Sequence, residues 1–374
     1  MSDGLTLAAV GDIAFNGGYD EIAGTERANS IFANVREQLQ ADLLIGNLEA
    51  VLIADRPRNP PWRFCMRGAP AFAEILARSG FKVLSLAGNH TMDYGWDAVA
   101  ETVAACTRVG ILTPGVGKNE TEARQPALLK IKGKKVAVLS YCSIHVGIHL
   151  YATADKPGVA PGREEAVVED VRKAKVENDI VIVCLHWGDE YVRYPKPAQR
   201  DLAKKALEAG ADAVLGHHPH VLQGMERAGN GFIAYSLGNF VFANEIWKGV
   251  SKEGNAFSWP FVLIEDARRT TILRATFEAG APPRLEWRGA HLHEDLTVRP
   301  DRDAEPAIKK LSRWFGSGSL YPIYWAVRFF PTRLYTQYRQ NYRSRDFRKI
   351  RPRHLKDLWK TLVHELQQFR GAKS

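Results

Sequence analysis

Long apolar runs are missing from this 374-residue chain. No stretch approaches the ~20 residues that span a bilayer, and the opening MSDGLTLAAV has no basic segment leading into a long apolar one. Neither a membrane helix nor a secretory leader is therefore expected. The default location is the cytoplasm, with peripheral attachment at the inner membrane face left open. Cysteine is scarce as well: Cys65, Cys106, Cys142 and Cys184 form no C-x-x-C pair and sit in or beside apolar runs. They read as small core residues of a reducing compartment, with one disulfide between two of them still open, and the fold should need no staples. Internal repeats and low-complexity tracts are absent too. The loop PGVGKN within Thr113 to Asn119 is too loose for a phosphate loop and reads as a surface turn.

What is present describes an ordinary globular protein. With 45% hydrophobic and 25% charged residues the chain can bury a sizeable core, as one large α/β domain plus an appendage or as two domains. The net charge of +9 hides an asymmetry. From Arg302 to Ser374 there are 17 Lys and Arg against 5 Asp and Glu, or +12, whereas the remainder carries 34 against 37, or −3. The basic character belongs to the tail and says little about the partner of the main body.

Short apolar runs repeatedly end in groups that can do chemistry. Leu5 to Val10 ends in Gly11-Asp12, Asp42 to Ile45 in Gly46-Asn47-Leu48-Glu49, and Lys82 to Ala87 in Gly88-Asn89-His90. Ile180 to Leu185 ends in His186-Trp187-Gly188, Ala213 to Leu215 in Gly216-His217-His218-Pro219-His220, and Phe232 to Leu237 in Gly238-Asn239-Phe240. Between several of these lie segments of helical period: Ser30 to Gln40, Ala69 to Ser79, Trp96 to Val109, Glu164 to Glu177 and Ala198 to Ala209. Strand and helix in alternation predict a layered α/β fold, whose strand ends gather ligand groups. Ala127 to Ile131 and Val136 to Tyr141 read as a hairpin. Phe261 to Glu265, Thr271 to Phe277 and Arg284 to Leu292 are strand-like without intervening helices, suggesting an antiparallel edge or a second sheet.

The strand-end set is Asp12, Asn47, Glu49, Asn89, His90, His186, His218, His220 and Asn239. Carboxylates, amide oxygens and imidazoles without thiolates suit Mn2+, Fe2+ or Zn2+, and a bridging carboxylate can hold two such ions ~3.5–4 Å apart. Singly, each has a duller explanation. Gly11-Asp12 is an ordinary turn, Glu49 a solvated helix-start carboxylate, His186 a satisfied core histidine, the asparagines turn residues, and the histidine run a surface cluster. Their joint occurrence at successive strand ends points to a metal-dependent hydrolase.

As an ordered series, Gly11-Asp12, Gly46-Asn47-Leu48-Glu49, Gly88-Asn89-His90 with Asp93-Tyr94-Gly95, His186-Trp187-Gly188 with Glu190, the GHHPHV stretch from Gly216, and Ser236 to Phe240 resemble the CapA family. This family is associated with poly-γ-glutamate capsule synthesis, within the calcineurin-like metallophosphoesterase superfamily. The resemblance runs over roughly residues 5 to 265. It implies a metallophosphatase-type α-β-β-α sandwich as residues 1–300, followed by a basic, aromatic-rich, mostly helical extension, 301–374. One metal would take Asp12, Glu49 and His220, and the other Glu49, Asn89, His186 and His218, so that one or two divalent ions are expected. His90 would be the acid or oxyanion-stabilising group, with Asp93 holding its tautomer, and His217 is not expected to ligate. Arg67, in FCMRGAP, is assigned to an anionic substrate group or to a surface ion pair, and Asn47, Glu190 and Asn239 are expected beside the substrate. The superfamily opens with Asp-x-His, whereas Ile13 and Ala14 follow Asp12. Water, Asn16, His145 or His149 would then complete the first site. Glu49 also stands where a shorter Asp usually bridges.

Two functions follow. The first is a metal-dependent hydrolase or transferase acting on a phosphoester or a γ-glutamyl-type amide. The second is a non-catalytic accessory subunit that binds an anionic polymer or a synthase partner. The tail carries the aromatic stretch Leu320 to Pro331, a basic cluster from Arg343 to Arg353 and a helical period over His354 to Phe369. It suits an anionic membrane surface or a solvated basic face, and nucleic acid is not indicated by any fold signature.

Overall fold

The computed structural model describes residues 4–56, 64–144, 150–251 and 254–329. Two sheets dominate it. The first runs Val298–Pro300, Arg284–Leu292, Arg269–Phe277, Leu5–Ile13, Leu43–Leu48 and Phe81–Ser85, and the short strand Asn239–Val241 pairs with the end of Leu5–Ile13. The second runs Met225–Ala228, Gly231–Ala234, Ala213–His217, Ile180–His186, Lys134–Cys142 and Ala127–Ile131. Inside each sheet the central strands are parallel; antiparallel strands close both edges of the second sheet and one edge of the first, whose other edge, Phe81–Ser85, is parallel to Leu43–Leu48.

Side-chain alternation explains the layers. Successive strand residues point to opposite faces, and a strand covered on both sides must be apolar at every position. Leu5, Leu7 and Ala9 therefore turn into the space between the sheets, against Val136, Val138, Ile182, Cys184 and Leu215. Ala8 and Val10 turn the other way, onto Phe72, Leu76, Ala98 and Val99 of the helices Phe72–Arg78 and Trp96–Arg108. On the far side Leu139, Val181 and Val183 meet Val167 and Val171 of Glu164–Glu177 and Ala203 and Ala206 of Pro197–Glu208. The result is the expected helix, sheet, sheet, helix sandwich, each buried Leu or Val contributing about 1.5–3 kcal/mol.

Two local expectations are corrected. The helix expected over Ser30 to Gln40 is broken into a 3-10 turn, Ala33–Val35, and one α turn, Arg36–Leu39. The Ile31 carbonyl is taken by Val298 N at 2.9 Å, so Val35 N bonds back to Phe32 O instead. The run Phe261 to Glu265 is not a strand: Ala256–Phe261 ends there, Leu263 N donates to Asn244 Oδ1, and the turn Glu265–Arg268 begins. The strands 269–277 and 284–292 form the antiparallel edge that their pattern predicts.

All four cysteines are free and buried. Helix Ala304–Ser312 and the segment to residue 329 pack on the body, with Phe315, Tyr321, Trp325 and Phe329 joining the core behind the second sheet. Among the described residues no helix is long and apolar enough to cross a membrane. The basic cluster Arg343 to Arg353, the helical period His354 to Phe369, and His145 and His149 lie outside the described residues.

Candidate metal centre

The C-terminal ends of the parallel strands in both sheets converge on one buried spot. In the first sheet, register sets Asp12 beside Asn47 on one neighbour and Asn239 on the other. In the second it sets His186 beside His217. Gly11 and Gly216 precede these positions because no side chain fits. A Cβ at Gly11 would lie 1.8 Å from Gly238 O, and one at Gly216 would lie 1.9 Å from Tyr235 O. The loop after Phe81–Ser85 presents Asn89 and His90, knitted by Thr91 Oγ1, which donates to Leu86 O and accepts from Gly88 N.

His218 and His220 follow the strand in left-handed backbone conformation, φ 91° and 58°, a strained region for residues other than glycine. Three hydrogen bonds hold the loop there: His218 N to Asp12 Oδ2 at 3.1 Å, Trp187 N to His217 O at 3.1 Å and Tyr191 N to Pro219 O at 2.7 Å. Both imidazoles are thereby turned toward the first sheet.

Three donor triplets result, each with ligand atoms within 4.8 Å of one another: Asp12, Glu49 and His220; Glu49, His186 and His218; and Glu190, His218 and His220. Asn89 Oδ1 lies 2.8 Å from His186 Nε2, beside the second triplet. The residues expected to share two cations are thus together, with Glu49 common to the first two triplets. Glu190 stands closer to the imidazoles than a purely substrate-facing residue need be. Asn47 and Asn239 are fully buried behind the donors. Asn47 Nδ2 donates to Asp12 Oδ1 at 2.9 Å and lies 3.3 Å from His186 Nδ1. Asn239 Nδ2 donates to Ala267 O, which leaves its Oδ1 to accept from His220 Nδ1 at 2.9 Å and turns Nε2 toward Glu49 Oε1, 3.5 Å away.

Glu49 provides the test of whether this chemistry fits a cation. It is 0% exposed, and neither carboxylate oxygen has a hydrogen-bond partner. Burial pushes its pKa up to about 8 against the pull of His220. Burial acts against the His220 imidazolium, but Glu49 and Asp12 raise its pKa to about 10. Asp12 is held far below the ordinary range by His217 and His220 in spite of burial. Burial and the neighbouring His218 keep His186 well below the imidazole range, hence neutral and able to ligate. A buried carboxylate without a hydrogen-bond partner, among oxygen and imidazole donors and no thiolates, fits a hard or borderline divalent ion.

His90 sits at the rim, its side chain 15% exposed. Its Nδ1 bonds Asp93 Oδ2 at 2.7 Å, and Met66 N donates to the same oxygen at 2.9 Å. An acceptor-only carboxylate fixes the proton on Nδ1 and leaves Nε2 to the site. Burial would depress the His90 pKa, but the charge and hydrogen bond of Asp93 raise it above the ordinary value. Arg67 faces a cavity of about 390 Å³ with Asn16, Asp20, Asp55 and Lys248, and pairs with Asp55 Oδ1 at 2.6 Å and Asp20 Oδ2 at 3.2 Å. Asn16, proposed to complete the first site, is spent elsewhere. Its Nδ2 donates to Glu245 Oε2 and Ala243 O, and its Oδ1 accepts from Ala243 N.

Sequence reasoning missed the aromatic wall. Phe64 meets His90 edge-on at 5.8 Å, Trp247 at 5.5 Å and Phe261 at 5.7 Å, while Phe242 and Tyr191 flank His220. Trp247 and Phe261 come from the hairpin Glu245–Val250 and Ala256–Phe261. The alternation Phe257, Trp259, Phe261 was its only sequence signal.

Residues 6–244 match the model of the family described as bacterial capsule synthesis protein PGA_cap. This chain belongs to that family. The PGA_cap chain is 32% identical over 246 residues to the capsule biosynthesis protein CapA of Bacillus anthracis, covering 64% of this chain and 60% of that protein. It is 33% identical over 243 residues to the PGA biosynthesis protein CapA of Bacillus subtilis (strain 168), covering 64% of each. It thus spans less than two thirds of the length of these curated relatives. Its fold is similar to the crystal structure of a novel phosphatase from Mycoplasma pneumoniae, with a TM-score of 0.50 at 13% identity, over 82% of this chain and 98% of that one. The sandwich is therefore of the metallophosphatase type, and its His, Asp and Glu clusters are compatible with divalent cations.

Proposed function

We propose that this PGA_cap protein is a divalent-cation-dependent hydrolase or transferase of the CapA type, acting on a phosphoester or a γ-glutamyl amide of an anionic polymer. One observation carries the reading: the Glu49 carboxylate is fully buried, makes no hydrogen bond, and lies in two donor triplets at once. The His220 imidazole, 3.5 Å from Oε1, offsets its charge without hydrogen-bonding it, whereas a divalent cation would satisfy both oxygens at once. A bound Mn2+, Fe2+ or Zn2+ supplies Lewis acidity and lowers the pKa of water.

The chain's own residues have separate tasks. Asp12, Glu49, Asn89, His186, His218 and His220 hold one or two ions, while Asn47 and Asn239 orient Asp12 and His220. His90, its tautomer fixed by Asp93, delivers a proton through Nε2 to the leaving group. Phe64 and Trp247 exclude water beside it. Arg67 can exchange Asp55, whose side chain is 83% exposed and so weakly held, for a phosphate or carboxylate of the substrate. The catalytic unit in this reading is residues 1–300, and the basic extension 301–374 offers a surface to an anionic membrane or a synthase partner. The names of the CapA relatives, given for capsule and PGA biosynthesis, support a polymer substrate.

The test is turnover of an aryl phosphate and a γ-glutamyl anilide with added Mn2+. Activity on at least one is expected, lost by about 10²–10⁴-fold in His90→Asn and abolished in Glu49→Gln. Cation binding without turnover of either compound would contradict the catalytic reading and favour an accessory subunit.

A further inference from the structure

The set Asp12, Glu49 and His220 gives a cation only three protein donors. Divalent ions with oxygen and nitrogen ligands take four to six. The next residues of the first strand offer none: Ala14 is buried, and the Asn16 side chain is bound to Ala243 and Glu245. Among the described residues, the remaining carboxylate within ligand spacing is Glu190, grouped with His218 and His220 inside 4.8 Å.

Glu190 is placed there by the fold. It lies four residues beyond His186 on the loop that leaves the second sheet, and the next amide, Tyr191 N, donates to Pro219 O between the two imidazoles. The Tyr191 ring lies 5.7 Å from the ring of His220. That clamp couples the Glu190 loop to the histidine loop. Independently, both oxygens of Glu49, which shares His218 and His220 with Glu190 across the three donor groups, are buried with no hydrogen-bond partner, which marks a cation's place.

We propose that Glu190 is a ligand of the cation held by Asp12, Glu49 and His220, and not a substrate contact. This rests on the reading that the centre binds divalent cations. Three carboxylates and one imidazole make that site harder than its neighbour, which suits Mn2+ as the probe. Glu190 is partly exposed, so its replacement leaves the core untouched.

The experiment is a Mn2+ titration of the metal-stripped full chain, with free Mn2+ read by electron paramagnetic resonance. Wild type, Glu190→Gln and Glu190→Asp are compared, and melting of the metal-free proteins establishes equal folding. Glu190→Gln should weaken the binding of one Mn2+ by at least about tenfold, the scale on which losing even a supporting group acts at a metal site. Glu190→Asp should recover part of that loss. A Glu190→Gln isotherm that superimposes on a binding-competent wild type overturns the assignment of Glu190 alone. A wild type that binds no Mn2+ overturns the cation reading on which it rests.

Discussion

At the scale of single residues the centre depends on who fixes whom. Asp93 accepts hydrogen bonds from His90 Nδ1 and Met66 N, and its charge raises the His90 pKa against burial. A raised pKa means that the proton on His90 stabilises the fold below about pH 6.5, and that this contribution fades as pH rises through the folded value. Asp93→Asn should therefore move the His90 titration downward, and, with His90 as the proton donor, the alkaline limb of any activity profile should move the same way. Imidazole resonances followed by NMR against pH check this, and an unmoved titration would show that Asp93 does not hold the proton. The proposed ligand positions stand out in the sequence because each follows an apolar run, most of them with a glycine between, though His186 follows its run directly. Asn47 and Asn239 were legible as members of the set but not in their place behind the donors. Side-chain direction at a strand end depends on register with neighbours, and register is invisible in one strand.

At the scale of elements, the C-terminal segment is tied to the body through Arg200. Its guanidinium, about 6% exposed, makes two bonds to Glu226, a third to Phe315 O, and lies 4.1 Å from the Tyr321 ring centre and 5.0 Å from that of Phe315. Burial would raise the Glu226 pKa, but Arg200 and Lys204 hold it below the ordinary range. Its contribution is thus present above about pH 4.5 and lost as pH falls through the depressed folded value. Arg200→Ala leaves Glu226 to Lys204 and Tyr235 but removes two charge-assisted bonds and the contacts to Phe315 and Tyr321, and should cost about 1–3 kcal/mol, whereas the double change of Arg200 to Met and Glu226 to Leu should cost less. Urea denaturation of both variants tests this, and equal losses would contradict it. The extension was legible as aromatic and basic. That its aromatics cover the second sheet's helices was not, because the partner residues lie more than a hundred positions away. The broken helix at 30–40 has a similar origin, since a carbonyl captured by residue 298 outweighs a helical period.

At the scale of the whole molecule, two mixed sheets are packed so that the ends of their parallel strands meet, and the meeting point is where oxygen donors from one sheet face imidazoles from the other. The layered fold could be read from strand and helix alternation, because residues buried on both faces of a strand must all be apolar. The aromatic wall over His90 could not, since it is built by a hairpin with exposed, mixed composition and by Phe64, each needing the other for its meaning. The central claim, that Glu49 serves a divalent cation, is tested most directly by anomalous diffraction at the manganese edge from crystals of the Mn2+-loaded protein. At least one anomalous peak is predicted within coordinating distance of Glu49, flanked by His218 or His220. Fully ordered side chains at that spot with no anomalous density would contradict it.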